Sequence, residues 1–108
     1  VLGIARDKDI SAMLKILAPL ADRIIATASH HPRAADPAQV AAAARAAGGT
    51  GTTVEEAPDI ATGLRHALDA AAPDDLICVT GSLYAVSEAR EALGLAQADD
   101  FERELLFR

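Results

Sequence analysis

The sequence predicts an α/β domain in three layers, with a mostly parallel sheet and helices on both of its faces. Strand-like apolar runs alternate with helix-like segments through the chain, which is the pattern of repeated βαβ units. The strand-like runs are apolar almost without interruption, as in strands that are covered on both faces. The chain has 108 residues, a length that suits one domain, so we assign residues 1–108 to a single domain.

Four short apolar runs are the predicted strands. We expect them near residues 1–5, 23–28, 52–56 and 76–80. The first and the last are the most apolar, so both are expected close to the centre of the sheet. The last run, LICVT, is the clearest candidate for a buried strand. We therefore interpret its single cysteine, Cys78, as a small core residue of a protein in a reducing compartment.

Each predicted helix starts at a residue whose side chain can accept hydrogen bonds from free backbone amides. These N-cap residues are Asp9, Asp36, Asp59 and Ser82. Pro37 follows the second cap at the first helical position, where proline is favoured. The tail 99–108 (DDFERELLFR) is interpreted as a last amphipathic turn.

Charge and hydropathy exclude several classes of protein. The formal net charge is −6 and the isoelectric point is near 4.8, which argues against nucleic acid or an anionic membrane as the main partner. No apolar run approaches the length of a membrane span, and no signal peptide is recognisable, so we expect a cytoplasmic protein. The chain opens in the apolar run VLGIA without a methionine, and we expect it to be a piece of a longer protein.

Three loops follow predicted strands and precede predicted helices, at residues 6–9, 29–36 and 81–82. In parallel sheets such loops lie at the carboxyl edge, where ligands bind. Arg33, beside a rigid proline, can present a planar fork to a carboxylate or phosphate. The Gly81-Ser82 pair offers backbone amides at a helix N-terminus, which suit an anion.

These features also have simpler interpretations, which the residues alone leave open. Arg33 could be a surface arginine paired with Asp36. The polar stretch Asp7-Lys8-Asp9 could contact Mg²⁺ or phosphate, or be only a turn with a helix cap. A tight turn and a cap would equally explain Gly81-Ser82.

The sequence does not favour a metal site or a nucleotide cradle within this chain. His30 and His31 are adjacent, and adjacent side chains rarely bind one ion. A tetrahedral zinc site also needs three or four ligands. We therefore interpret both histidines as solvated loop residues that are incidental to the site. The chain contains no GxxxxGK[ST] loop and no GxGxxG after a strand.

Taken together, the loops carry a family resemblance over about residues 1–95. The segments GIARDKDISAMLKILAPLADRIIAT, ASHHPRAADPAQVA and DDLICVTGSLYAVSEAR resemble the C-terminal domain of bifunctional folylpolyglutamate synthase/dihydrofolate synthase, in the Mur ligase superfamily. The second loop also resembles the Asn-Pro-Arg loop with which some Mur ligases recognise an amino acid. His31 here stands in place of the asparagine, so the resemblance carries over the arginine but not the preference for a particular amino-acid side chain.

The resemblance implies a Rossmann-like fold and a role in an ATP-dependent ligase. Such an enzyme converts a folate or pteroate carboxylate to an acyl phosphate, and the amine of L-glutamate then attacks it. Arg33 and Ser82 would contact glutamate, whereas Asp7, Lys8 and Asp9 would face the interdomain cleft on the nucleotide side. ATP and Mg²⁺ would be bound mainly by a central P-loop domain, so no catalytic residue is expected in this chain.

The resemblance also implies what the chain lacks. A strand and a helix with an Asp-Gly-Ala-His-Asn-Pro motif should precede Val1, so the isolated chain is expected to be inactive. Two other classes stay open. A stand-alone α/β module could bind a small molecule without catalysis. A phosphoacceptor receiver domain shares the α/β layout, but it needs an aspartate at the end of a central strand, and RIIATA (residues 23–28) ends without one.

Overall fold

Two parallel strands and four α-helices lie in residues 1–95, the part of the chain that the computed structural model describes. The elements in chain order are α1 (Ile10–Leu17), a short 3-10 helix (Ala18–Leu20), β1 (Arg23–Ala26), α2 (Pro37–Ala47), β2 (Thr53–Glu56), α3 (Ile60–Ala70) and α4 (Leu83–Ala92). The predicted α/β class is confirmed. The turn predicted in the tail 99–108 lies outside the described residues.

In the described residues the sheet has two strands, and the predicted strands 1–5 and 76–80 form only isolated bridges; one of these, between Ala5 and Ala34, is antiparallel. Strands β1 and β2 pair in parallel, with Ile24 opposite Val54. The first apolar run lies on the other side of β1, because Leu2 forms parallel bridges with both Ala26 and Thr80. The order across the sheet is therefore β2, β1, the first run and the last run. The first run is interior, as predicted.

The predicted position of the last run, 76–80, was wrong. Its hydrogen bonds go only to the first run: Cys78 O accepts from the Val1 amine, and Thr80 exchanges bonds with Val1 and Gly3. Among the described residues this run is thus an edge segment, with only a single bridge at Thr80. A strand at the edge has one side without a neighbour, which apolar composition alone does not reveal.

Leu76 and Cys78, two positions apart in the last run, are exposed rather than part of the core. This corrects the interpretation of LICVT as a buried strand. Leu76 is 92% exposed, and Cys78 is an exposed free thiol. The alternate residues Ile77 and Val79 are partly buried and pack against α3 and α4. Neighbouring side chains of a strand point to opposite faces. One face of this run is covered by helices and the other is not.

Helices cover both faces of the interior strands, as the three-layer prediction required. Ile24 and Ala26 belong to a core cluster with residues of α1 and α2, including Leu14 and Val40. Ile25 points the other way and lies close to Gly63 of α3. Both faces of β1 are buried from Ile24 to Ala26, which is why these three residues are all apolar; Arg23 at the start of the strand is exposed.

All four predicted helix caps are confirmed. The side-chain oxygens of Asp9, Asp36, Asp59 and Ser82 accept hydrogen bonds from backbone amides in the first turns of α1 to α4 respectively. The caps fix the point at which each loop becomes a helix, and so they set the shape of the carboxyl edge of the sheet. None of the helices in residues 1–95 is both long enough and apolar enough to cross a membrane.

Candidate functional site

A cleft of about 510 Å³ opens at the carboxyl edge of the sheet. All three predicted loops contribute to it, and they bring polar and aromatic side chains to one place. These side chains are Asp7, Lys8, Ser29, His31, Arg33, Ser82 and Tyr84. The parallel direction of the strands explains this convergence, because loops that follow parallel strands leave the sheet at the same edge.

The first and second loops are joined by Arg6. Its backbone amide donates to the carbonyl of Arg33 over 2.8 Å, and its guanidinium donates to the carbonyl of Pro32 over 2.8 Å. Ala35 also donates to the carbonyl of Ile4 over 2.8 Å. The backbone of Arg33 is therefore held against the end of the first apolar run, although its side chain is exposed.

The third loop reaches the cleft through a turn that strongly favours glycine at position 81. Gly81 has a φ of 109°, a conformation that residues with a side chain rarely adopt. A Cβ atom at this position would also collide with the carbonyl oxygen of Gly3. The close approach brings Ser82 and the N-terminus of α4 to the cleft, where Ser82 Oγ accepts from the amide of Ala85 over 3.0 Å.

The charges around the cleft suit an anion. Lys8 and Arg33 contribute two cationic side chains and Asp7 one carboxylate, and the N-terminus of α4 adds the positive end of a helix dipole. Arg33 is not paired with Asp36, the alternative that the sequence left open, because no ion pair joins them in residues 1–95. Asp36 Oδ1 instead accepts from the amide of Ala38 over 3.0 Å. The Arg33 guanidinium is thus not committed to that carboxylate.

The two histidines make specific contacts that their interpretation as solvated loop residues did not include, although the side chain of His30 is 80% exposed. His30 binds Glu88 of α4 twice: its amide donates to Oε2 over 2.8 Å, and its Nδ1 lies 3.0 Å from Oε1. Oε1 is buried and has no hydrogen-bond partner among the described residues, so the firm link to Glu88 is the bond from the His30 amide. His30 therefore ties the second loop to α4.

His31 and Tyr84 are site residues to which the sequence analysis gave no role. Their rings stack with centroids 4.0 Å apart and an angle of 28° between planes. His31 Nδ1 also accepts from the amide of Arg33 over 3.1 Å. The available signal was the spacing, since a side-chain acceptor two residues before an amide is the pattern of an Asx-type turn. Tyr84 stands in the TGSLY segment and is the single tyrosine of the chain.

The predicted site residues do not all come together. Asp7, Lys8, Arg33 and Ser82 line the cleft, whereas Asp9 is not among its lining residues and instead caps α1 by accepting from the amide of Ala12 over 3.1 Å. Within residues 1–95, no group of three or more histidine, cysteine, aspartate or glutamate side chains is arranged to hold a metal ion. What the four lining residues bind stays a prediction.

Comparison with known families gives one match. Residues 1–83 match the family described as "Mur ligase, glutamate ligase domain". The searches of curated proteins and of solved structures gave no significant match. The matched region covers most of the chain, including α1 to α3 and all three loops that form the cleft, and it ends at Leu83, the first residue of α4. The chain belongs to the glutamate ligase domain family of the Mur ligases.

Proposed function

We propose that the chain is the C-terminal domain of an ATP-dependent folylpolyglutamate/dihydrofolate synthase, in which it binds L-glutamate for ligation to a folate or pteroate carboxylate. Membership of the Mur ligase family supports a ligase. The choice of folate rests on the resemblance of the DKD, PRA-x-DP and TGSLY-x-V segments taken together. In this proposal the whole enzyme is cytoplasmic, and its central P-loop domain belongs to the same polypeptide.

The observation that carries the proposal is the cationic cleft between the loops. L-glutamate brings two carboxylates and an amine that must stay unprotonated to attack. Arg33 can bind one carboxylate with two parallel hydrogen bonds, which lysine cannot do. The first amides of α4, next to Ser82, suit a second anionic group. The amine would then be directed away from these groups, toward the activated carboxylate.

The residues of this chain do not by themselves fit ATP and Mg²⁺. The chain has no phosphate-cradling loop, and the carboxylates of residues 1–95 do not gather as ligands for a metal ion. We therefore assign ATP and Mg²⁺ mainly to the central domain, with Asp7 and Lys8 at the side of the cleft that faces it. When bound there, ATP would supply the phosphoryl group that activates the substrate carboxylate, and Mg²⁺ would neutralise charge on the phosphates.

Water exclusion is the second task of this domain in the proposal. An acyl phosphate is hydrolysed if water reaches it, so closing a domain over the reacting groups protects the intermediate. Leu83 and Tyr84 lie at the cleft and are 67% and 40% exposed. Apolar side chains at the rim of a charged cleft suit contact with a second domain.

The test is product formation by the full-length ligase that contains this chain. The purified enzyme is incubated with ATP, Mg²⁺, L-glutamate and either dihydropteroate or a reduced folate, and the products are identified by mass spectrometry. We expect a pterin-containing product heavier by one glutamate residue. Ligation of glutamate to another acid, with neither pterin substrate accepted, would contradict the folate assignment but not the ligase family. Binding of glutamate without any ligation would favour the non-catalytic module.

A further inference from the structure

We propose that His31 is a positioning residue that holds Arg33 at the cleft, through the bond from the Arg33 amide and through stacking on Tyr84. The proposal rests on the proposed function, since it concerns how Arg33 is presented to glutamate. His31 acts through another residue and need not touch the substrate itself.

The first contact fixes the backbone at Arg33. His31 Nδ1 accepts from the Arg33 amide over 3.1 Å, across the intervening Pro32. On the other side of the residue, the carbonyl of Arg33 accepts from the Arg6 amide over 2.8 Å. The amide and the carbonyl of Arg33 are thus both bonded, and the direction in which its side chain leaves the loop is set. Of these two bonds, only the one from the amide depends on a side chain.

The second contact fixes the ring of His31. Tyr84 is the second residue of α4, and its ring stacks on the imidazole at a centroid distance of 4.0 Å. Stacked aromatic rings contribute beyond the area that they bury. The stack joins the loop that carries Arg33 to the turn that carries Ser82. One imidazole therefore connects the two predicted glutamate contacts.

The hydrogen bond requires a specific tautomer. An imidazole nitrogen accepts only when it carries no hydrogen, so His31 must be neutral with its proton on Nε2. Its charged neighbours around the cleft are Asp7 and Lys8 from the first loop and Arg33 from its own loop, while Tyr84 faces it from α4.

Two substitutions separate the two contacts. In His31→Asn the amide oxygen can take the place of Nδ1 and accept from the Arg33 amide, but the ring is lost. In His31→Phe the ring can still stack on Tyr84, but the acceptor is lost. His31→Ala removes both. His66→Ala is the matched control, because His66 is exposed on α3 and does not line the cleft.

The experiment measures the KM for L-glutamate and the KM for ATP in the full-length ligase. We expect His31→Ala to raise the glutamate KM about 5-fold, the scale of one lost hydrogen bond, with the KM for ATP unchanged. His31→Asn should recover most of this loss and His31→Phe little of it. In an Arg33→Ala background, His31→Ala should add nothing further, because residues that act as one unit are not additive.

Three outcomes would overturn the proposal. One is a raised glutamate KM in Arg33→Ala but not in any His31 variant, which leaves the proposed function intact. Another is an equal further rise for His31→Ala in the Arg33→Ala background, which would mean that His31 acts independently. The third is a long-range ¹H–¹⁵N NMR spectrum of the 108-residue chain that places the proton of His31 on Nδ1. If Arg33→Ala itself leaves the glutamate KM unchanged, it is the proposed function that fails.

Discussion

Replacing Gly81 by alanine should destabilise the domain more than the same substitution at Gly94 or Gly51. Two separate costs apply at Gly81. The φ of 109° is strained for a residue with a Cβ atom, at about 1–2 kcal/mol. The new Cβ would also meet the carbonyl oxygen of Gly3, a backbone atom that cannot move without shifting the first apolar run. We expect a total loss of about 3 kcal/mol or more in the free energy of unfolding.

The other two glycines serve as matched controls. Gly94 has a φ of 74°, but a Cβ there would meet nothing within 4 Å, so Gly94→Ala should show the backbone strain alone, at about 1 kcal/mol. Gly51 has neither a positive φ nor a near neighbour, and Gly51→Ala should leave stability unchanged or raise it by up to about 1 kcal/mol.

Urea unfolding of the three variants and the parent chain, followed by circular dichroism, measures these differences. The predicted order of stability is Gly51→Ala, then Gly94→Ala, then Gly81→Ala as the least stable. If Gly81→Ala were no less stable than Gly94→Ala, the close approach of the third loop to the first apolar run would be wrong. The route by which Ser82 reaches the cleft would then be unexplained.

Three further predictions concern the caps, the sheet edge and the isolated chain. The amide and side chain of Thr62 hold the pKa of Asp59 below its ordinary value of 3.8; Asp59→Ala should therefore cost about 1 kcal/mol near neutral pH. The cost in free energy of unfolding should shrink as the pH falls below 3.8 and the carboxyl group is protonated. Unfolding measurements that show the same cost at low pH would contradict the helix cap as the cause of the destabilisation. Because Cys78 is exposed, its thiol should react with a thiol reagent in the native state nearly as fast as in denaturant. A thiol that reacts only after unfolding would support the buried-strand interpretation instead. The 108-residue chain alone should show no ATP-dependent ligation of glutamate to a folate, and any product in that assay would contradict the assignment of the phosphate contacts to another domain.

Local sequence signals predicted the helices and the parallel layout well. Each helix start rests on one short polar side chain, such as Asp59, whose cap depends only on residues within one turn. The burial of β1 was also predictable, because uninterrupted apolar residues such as Ile24 and Ile25 are favoured only where both faces are covered.

The errors concern features that depend on distant parts of the chain. The run 76–80 has the composition of an interior strand, but composition does not state which neighbours are present, and Leu76 is exposed at the sheet edge. The stack of His31 on Tyr84 joins residues 53 positions apart in the sequence. Its existence depends on how two loops leave the sheet, which no local pattern encodes.

The KM for L-glutamate of an Arg33→Ala variant of the full-length ligase tests the central claim most directly. Loss of a charge-assisted pair costs about 1.5–3 kcal/mol, so the account predicts a rise of about 10- to 100-fold in this KM. The KM for ATP should change much less, and Arg33→Lys should recover only part of the loss because lysine cannot form the bidentate fork. Arg65→Ala, an exposed arginine on α3 away from the cleft, is the control. An Arg33→Ala enzyme with unchanged glutamate kinetics would contradict the account and leave Arg33 as an ordinary surface residue.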